Sequence, residues 1–392
     1  MTGPEGGRPG RDRLRAFLVE SGALSAEWSS AFDAVDRASF LPDRIWPHGG
    51  ADGSVVDRRT DAADWYRWAD SDVALTTQWD DAATDTAESG DVPTSSSSMP
   101  SVVSAMLRDL DVRPGIRVLE IGTGTGWSSA LLAIRVGGDA VTTVEIDPVL
   151  ADQARRRLDA AALHPEVIAA DGLRGHPAGA PYDRVVVTCG LRRLPYAWVE
   201  QTRPGGIILV PWGTDYGPQD AVARLVVTDD GKAAAGRFTG PVQFMKARSQ
   251  RLAWPRHDEY VTDWPGDATE STTELTAEDL GSGGFGGPDF LLGLVVPSCA
   301  HTSQVRAGVG VAWFYGLADR SWAAVRWEPG ARGEVWQSGP RRLWDEVEAA
   351  WRWWEGRGRP RVDRFGLTVT EAGHEVWLDD PGNPVVRGLS SG

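Results

Sequence analysis

Apolar positions change their period several times along the chain. From Asp12 to Asp36 they recur near helical spacing, at Leu14, Phe17 and Leu18 and then Trp28, Phe32 and Val35, with Ser25 placed to cap the second helix. Asp61–Ser71 repeats the pattern around Trp65, Tyr66 and Trp68. Asp80–Ser98 is polar and predicts a loop without a core of its own. It ends in four consecutive serines, Ser95–Ser98, placed to cap a helix over Ser101–Leu110 that buries Val102, Val103, Met106, Leu107 and Leu110. From Val118 onward, short apolar runs alternate with helical stretches. Val118–Ile121, Ala140–Val144, Glu166–Ala169, Tyr182–Thr188, Ile207–Pro211 and Ala221–Val227 read as strands. Ser128–Val136, Pro148–Ala162 and Tyr196–Gln201 read as helices. That order predicts a parallel sheet covered on both faces, with ligands held at the carboxyl ends of its strands.

Beyond residue 250 the pattern changes again. Asp263–Pro288 is rich in Gly, Thr and Glu and reads as a linker. Phe290–Val296, Val309–Leu317, Trp322–Trp327 and Glu334–Gln337 read as strands. Pro340–Glu355 is an amphipathic helix with Leu343, Trp344, Val347, Ala350, Trp351 and Trp354 on one stripe. Arg364–Thr370 and Glu375–Asp379 flank a hairpin turn. The expected organisation is an N-terminal helical unit (1–80), a Ser-rich loop (81–100), a core (101–250), a linker (251–288) and a small α+β accessory domain (289–392). Trp353, Arg352 and Arg357 fall off the helical stripe and are candidate peptide anchors.

The chemistry concentrates at Val118-Leu119-Glu120-Ile121-Gly122-Thr123-Gly124-Thr125-Gly126-Trp127. An apolar run, three glycines at alternate positions and a helix start form a strand–turn–helix element that admits a nucleotide-like ligand. The glycines let the backbone approach closely, and the helix-start amides are expected to point at the ligand. A dinucleotide fingerprint requires Gly at position 127, where Trp stands. The spacing, with Glu120 ahead of it, suits S-adenosylmethionine better. The second strand ends in Glu145-Ile146-Asp147, where an acid can accept both ribose hydroxyls, and the third ends in Asp171-Gly172, where an acid can meet the adenine amine. Candidate cofactor-binding residues are therefore Glu120, Gly122, Thr123, Gly124, Gly126, Glu145, Ile146, Asp171, Gly172 and Thr188.

Five segments, Arg37–Pro42, Leu119–Gly126, Tyr182–Thr188, Arg203–Gly206 and Gly240–Phe244, resemble in order and spacing the protein-L-isoaspartate O-methyltransferase family over Asp36–Arg248. The resemblance implies an S-adenosylmethionine-dependent methyltransferase sheet of Rossmann-like α/β type and a carboxyl acceptor. It also implies a Thr-Ile-Ser-x-Pro loop whose serine sits at the reaction centre. Aligned on Pro100, that serine is Ser98, while Ser97 and Ser96 stand where Ile and Thr are expected. Ser98 and Ser97 are the candidate catalytic residues, donating hydrogen bonds that aim the acceptor carboxylate. The departure, the longer acidic insert and the C-terminal extension resemble actinobacterial members that methylate an Asp of a ribosomally made precursor peptide. In those, the ester closes to a succinimide (aspartimide) or isoaspartate. General isoaspartyl repair is the alternative activity.

Composition narrows the partners. The formal net charge of −15 over 392 residues argues against nucleic acid. Two cysteines, no signal peptide and no apolar span lead to the expectation of a cytoplasmic protein without a membrane partner. His257, His301 and His374 lack metal-ligand spacing, so no metal site is expected. A monomer is compatible with these features, and the oligomeric state stays open. Two readings from other classes remain, a nicotinamide-dependent oxidoreductase and a non-catalytic peptide-binding partner.

Overall fold

The computed structural model describes residues 8–49, 54–82, 89–281 and 288–385. Residues 83–88 of the polar run, 282–287 of the expected linker and 1–7 of the N-terminal tail lie outside them. The chain forms two compact units: Met1–Cys189 with Pro195–Leu209 and Val226–Ala234, and Gly190–Leu194 with Val210–Leu225 and Ala235–Gly392. Among the described residues no helix is long and apolar enough to cross a membrane.

The first unit opens with α1 (Pro9–Glu20) and α2 (Ala26–Ala34). It does not stay helical to residue 80. A four-stranded sheet follows, ordered β2-β1-β3-β4, from β1 (Arg44–Pro47), β2 (Val56–Asp57), β3 (Leu75–Trp79) and β4 (Pro93–Ser97), with α3 (Ala62–Ala69) between β2 and β3. The serines are thus strand residues, with Ser97 opposite Leu75 and Ser96 opposite Thr76. Their polarity hid the strand, because neither face shows apolar alternation. Nor do they cap the next helix, α4 (Pro100–Leu110), which has Pro in its first turn and no side-chain cap from Met99. Asp72 Oδ1 instead accepts from the Ser101 amide at 2.8 Å.

The main sheet of this unit is parallel. Its strands are β5 (Val118–Ile121), β6 (Val141–Glu145), β7 (Glu166–Ala169), β8 (Tyr182–Val187) and the start of β9 (Thr202–Gly213), paired in the order β9-β8-β5-β6-β7. Val118, Leu119, Val185, Val187, Ile208 and Leu209 are fully buried in it, as strands covered on both faces must be. The connections run through α5 (Trp127–Val136), α6 (Pro148–Ala160) and α7 (Ala197–Glu200). The chain leaves β5 toward β6 and β7, then returns to β8 on the other side of β5. The crevice at the carboxyl ends of β5 and β8 is therefore a switch point, where such sheets bind ligands.

The second unit holds most of β10 (Asp220–Val227) and of β11 (Ala233–Val242), α8 (His257–Tyr260) and an antiparallel five-stranded sheet, β12-β16-β15-β14-β13. These strands are β12 (Thr269–Thr273), β13 (Cys299–Arg306), β14 (Val309–Gly316), β15 (Trp322–Trp327) and β16 (Gly333–Ser338). Helix α10 (Leu343–Glu355) buries its Trp344–Val347–Trp351 stripe among Phe314, Val325 and Val335. Three expectations change. Phe290–Val296 is not a strand but helix α9 (Asp289–Val295), a short run apolar on all sides that periodicity cannot assign. The expected linker contributes edge strand β12, whose exposed residues show no apolar alternation. The hairpin β17 (Phe365–Thr370) and β18 (Gly373–Leu378) joins not the five-stranded sheet but β11 and β10, in the order β18-β17-β11-β10.

Candidate functional site

The site lies wholly in the first unit, at the turn between β5 and α5. Gly122, Gly124 and Gly126 have φ of 96°, 54° and 90°, which side chains strongly disfavour. Space is as tight as the backbone. A methyl on Gly122 would lie 2.5 Å from Thr188 Oγ1, and one on Gly126 3.3 Å from Ala154 Cβ. A methyl on Gly124 would face the Ser-rich strand, 3.7 Å from the Ser96 carbonyl oxygen and 3.9 Å from Ser95 Oγ. Strand β4 thus overlies the turn.

The glycine amides are not offered to a ligand. The Gly122 amide donates to the Val144 carbonyl at 2.8 Å, and the Gly126 amide to the Thr123 carbonyl at 2.9 Å. The Gly124 amide donates to Glu145 Oε2 at 2.8 Å. The turn closes on itself and presents bare backbone. Thr188 is a brace of this turn, its hydroxyl 3.1 Å from the Ile121 carbonyl and also on that of Gly122. Thr123 is buried, its hydroxyl 2.7 Å from that of Thr143.

Glu145 ends β6, buried beside the turn, and its other oxygen accepts from the Asp147 amide at 3.1 Å. Asp147 caps α6 through the amides of Val149 and Leu150. It also accepts from Gln78 Nε2 at 3.1 Å, and Gln78 Oε1 takes the Thr94 hydroxyl at 2.8 Å. That chain ties β4 to the end of β6. Ile146, next to Glu145, is exposed. Asp171 is exposed and accepts from the Leu173 amide at 3.0 Å, while the Gly172 carbonyl takes the indole N–H of buried Trp198 at 2.9 Å. Trp198 was not foreseen, although a lone Trp in a short helix near the strand ends was visible.

Glu120 does not line the ligand crevice. It is 0% exposed beneath the turn, where Oε2 accepts from the hydroxyls of Ser129 and Thr143. Its Oε1 is buried without a hydrogen-bond partner among the described residues. Burial pushes its carboxyl above the usual range. A raised folded value favours the protonated form, so this stability is present below the unfolded value and is lost as pH rises through the folded one. A Glu120→Gln variant should therefore gain melting temperature relative to the parent as pH rises above the ordinary Glu range of about 4.3. A constant difference over that rise would contradict the raised carboxyl.

Ser97 is also placed otherwise than expected. It is buried, and its Oγ accepts from Arg37 Nε at 3.0 Å. Ser98 is half-buried, one residue past the end of β4. In sequence, Arg37 opens the Arg37–Pro42 segment and carries no assigned role. A charge among Ala38, Phe40 and Leu41, all apolar, was the available signal for a buried guanidinium.

Residues 67–251 match the family model described as protein-L-isoaspartate(D-aspartate) O-methyltransferase (PCMT). The protein-L-isoaspartate O-methyltransferase of Pyrococcus horikoshii is 40% identical over 135 residues, 34% of this chain and 60% of that protein. Protein-L-isoaspartate O-methyltransferase 1 of Rhodopseudomonas palustris is 42% identical over 132 residues, 33% of this chain and 53% of that one. The chain thus spans 53% to 60% of the length of these curated relatives. A solved structure named protein-L-isoaspartate O-methyltransferase has a TM-score of 0.54 at 20% identity, covering 94% of this chain and 100% of its own; at that identity the likeness is one of fold. The sheet is of the α/β Rossmann-like type, as in that structure, and the match to the family model covers residues 67–251.

Proposed function

We propose that the protein is an S-adenosylmethionine-dependent carboxyl O-methyltransferase acting on an aspartate or isoaspartate side chain of a peptide. The observation that carries this is the self-closed turn. All three glycine amides are spent internally, so none of them is left to meet a pyrophosphate. A cofactor without phosphates needs only the bare, close backbone and the carboxylate beside it. Glu145 would hold the ribose hydroxyls, with Ile146 against the adenine and Asp171 and Gly172 at its edge. Gly122, Thr123, Gly124 and Gly126 shape the floor beneath the methionine portion. Glu120 and Thr188 support that floor from behind.

When bound, S-adenosylmethionine supplies a methyl group on a sulfonium, open to displacement. The acceptor carboxylate, with an unperturbed pKa of about 3.9, is already ionised and needs no general base. What remains for the protein is positioning and exclusion of water. Ser98 donates its hydroxyl to the acceptor and aims it. The Ser-rich strand, one layer above the turn, covers the reacting atoms. Once esterified, the side chain carries a better leaving group. The following backbone nitrogen then attacks the ester carbon, expels methanol and closes a succinimide.

Within this activity we favour a peptide aspartate, as in a ribosomally made precursor, over general isoaspartyl repair. The replacement of Ile by Ser97 in the loop and the second unit's aromatic face support that choice. On the sheet face away from α10, Trp264 is 48% exposed and packs on Trp313, Trp322 and Trp336 at 5.2–5.8 Å. The anchors expected from sequence are engaged elsewhere. Arg357 stacks on Trp353 at 4.4 Å, and Arg352 pairs with Glu348 at 3.0 Å. Cys189 and Cys299 form no disulfide with each other, which suits a reducing cytoplasm.

Removing residues 250–392 would strip β17 from β11, so a point substitution is the cleaner test of the second unit. Trp264→Ala should raise the peptide KM by about 10-fold while S-adenosylhomocysteine affinity stays put. An unchanged KM would remove the second unit from peptide binding. Presenting matched Asp and isoAsp peptides, with mass spectrometry for methyl gain, decides between the two substrates. An absent gain with both would favour a binding partner without turnover, and stabilisation by NAD in place of S-adenosylmethionine would favour an oxidoreductase.

A further inference from the structure

The feature that the proposed chemistry leaves unexplained is a buried cation. Arg37 is 4% exposed, on a short 3-10 turn (Arg37–Phe40) capped by Asp36. Burial lowers its guanidinium to about 9, still charged at neutral pH. Its hydrogen bonds all go to neutral oxygens. Nη1 donates to the carbonyls of Ser71 at 3.1 Å and Ala69 at 3.4 Å. Nη2 donates to the carbonyls of Val73 at 2.9 Å, Ser97 at 3.0 Å and Ser98 at 3.1 Å. Nε donates to Ser97 Oγ. The Trp127 ring lies 5.6 Å from the guanidinium carbon. The nearby acids are otherwise engaged, Asp70 with Arg8 and Asp72 with the Ser101 amide. Burying a charge without a hydrogen-bonded carboxylate is costly, and a neutral side chain could fill the same space.

The guanidinium does something a neutral residue cannot. The Ser97 carbonyl lies in the peptide plane before Ser98, and the Ser98 carbonyl in the plane after it. Holding both fixes the backbone torsions of Ser98, and with them the direction of its Cα–Cβ bond. The third bond, to Ser97 Oγ, locks the guanidinium in its own plane. The family motif places Ile at that position, so this acceptor comes from the chain's own Ser run.

We propose that Arg37 is a positioning residue for methyl transfer, aiming the Ser98 hydroxyl over the Gly124 turn, and that Ser97 acts as its partner rather than as a contact to substrate. This rests on the carboxyl-methyltransferase reading. Lysine keeps the charge but loses the planar fork, so Arg37→Lys separates aim from charge.

The test uses the full chain, S-adenosylmethionine and a synthetic Asp peptide with its isoAsp counterpart. Arg37→Lys should lower kcat by about 30-fold, with KM and S-adenosylhomocysteine affinity within about 3-fold of the parent. Ser97→Ala should lower kcat by about 5-fold alone, and by less than about 2-fold in the Arg37→Lys background, since both act on one geometry. Independent, multiplying losses would overturn the proposal, as would a fall in cofactor affinity that matches the fall in kcat. Should Arg37→Lys fail to fold, Ser97→Ala and Ser97→Ile carry the test: an unchanged kcat in both overturns it, and a matched loss at constant cofactor affinity supports it. A parent that binds S-adenosylhomocysteine yet methylates neither peptide defeats the underlying reading instead.

Discussion

A Gly122→Ala variant is expected to bind S-adenosylhomocysteine about 100-fold more weakly than the parent and to unfold several degrees lower. Two costs act together. The residue sits at φ 96°, outside even the left-handed helical region, where a side chain costs about 1–2 kcal/mol or more. Its methyl would also lie 2.5 Å from Thr188 Oγ1, an overlap of the kind that costs about 1–3 kcal/mol. Thr188 cannot swing aside freely, because its hydroxyl is held by the Ile121 and Gly122 carbonyls. The turn must move instead, and the turn is the proposed cofactor floor. Calorimetric titration and thermal denaturation read the two effects separately. A variant that melts lower but binds as tightly as the parent would show that the turn is structural and the cofactor lies elsewhere.

Glu145→Ala is the second large loss. Its buried carboxylate currently accepts from the Gly124 and Asp147 amides at 2.8 and 3.1 Å, and in the proposed complex it also takes the ribose hydroxyls. Charge-assisted hydrogen bonds contribute about 1.5–3 kcal/mol each, so losing two weakens binding by about 100- to 20,000-fold. A cycle isolates the ribose from the turn. The parent should lose affinity for the 2′-deoxy analogue of S-adenosylhomocysteine, whereas Glu145→Ala should bind the two analogues alike. An equal deoxy penalty in both proteins would mean that Glu145 does not read the ribose.

The parallel sheet was legible because its strands are short apolar runs separated by helical stretches, and burial on both faces leaves that trace. Gly122–Gly126 and Glu145 were legible because few residue types meet their backbone and charge demands. The Ser-rich strand was not. Ser95, Ser96 and Ser97 satisfy their backbone through β3, a partner that local pattern cannot reveal. Glu120 and Arg37 illustrate the same limit for charge. Position in a motif suggested a ligand contact for Glu120, whereas packing turned it toward Ser129 and Thr143. Arg37 looked like a motif bystander until its six acceptors were seen. Beyond residue 250, β12 was missed because an exposed edge strand can be polar on both faces, as Thr269–Thr273 nearly is.

The most direct measurement follows a labelled methyl group. The full chain is incubated with methyl-labelled S-adenosylmethionine and an Asp-containing peptide, and the products are resolved by mass spectrometry over time. The account predicts a base-labile methyl ester on the side-chain carboxyl, then release of labelled methanol and a succinimide in its place. Label on a nitrogen or hydroxyl, or a protein that binds the donor but esterifies no carboxylate in Asp or isoAsp peptides, would contradict it.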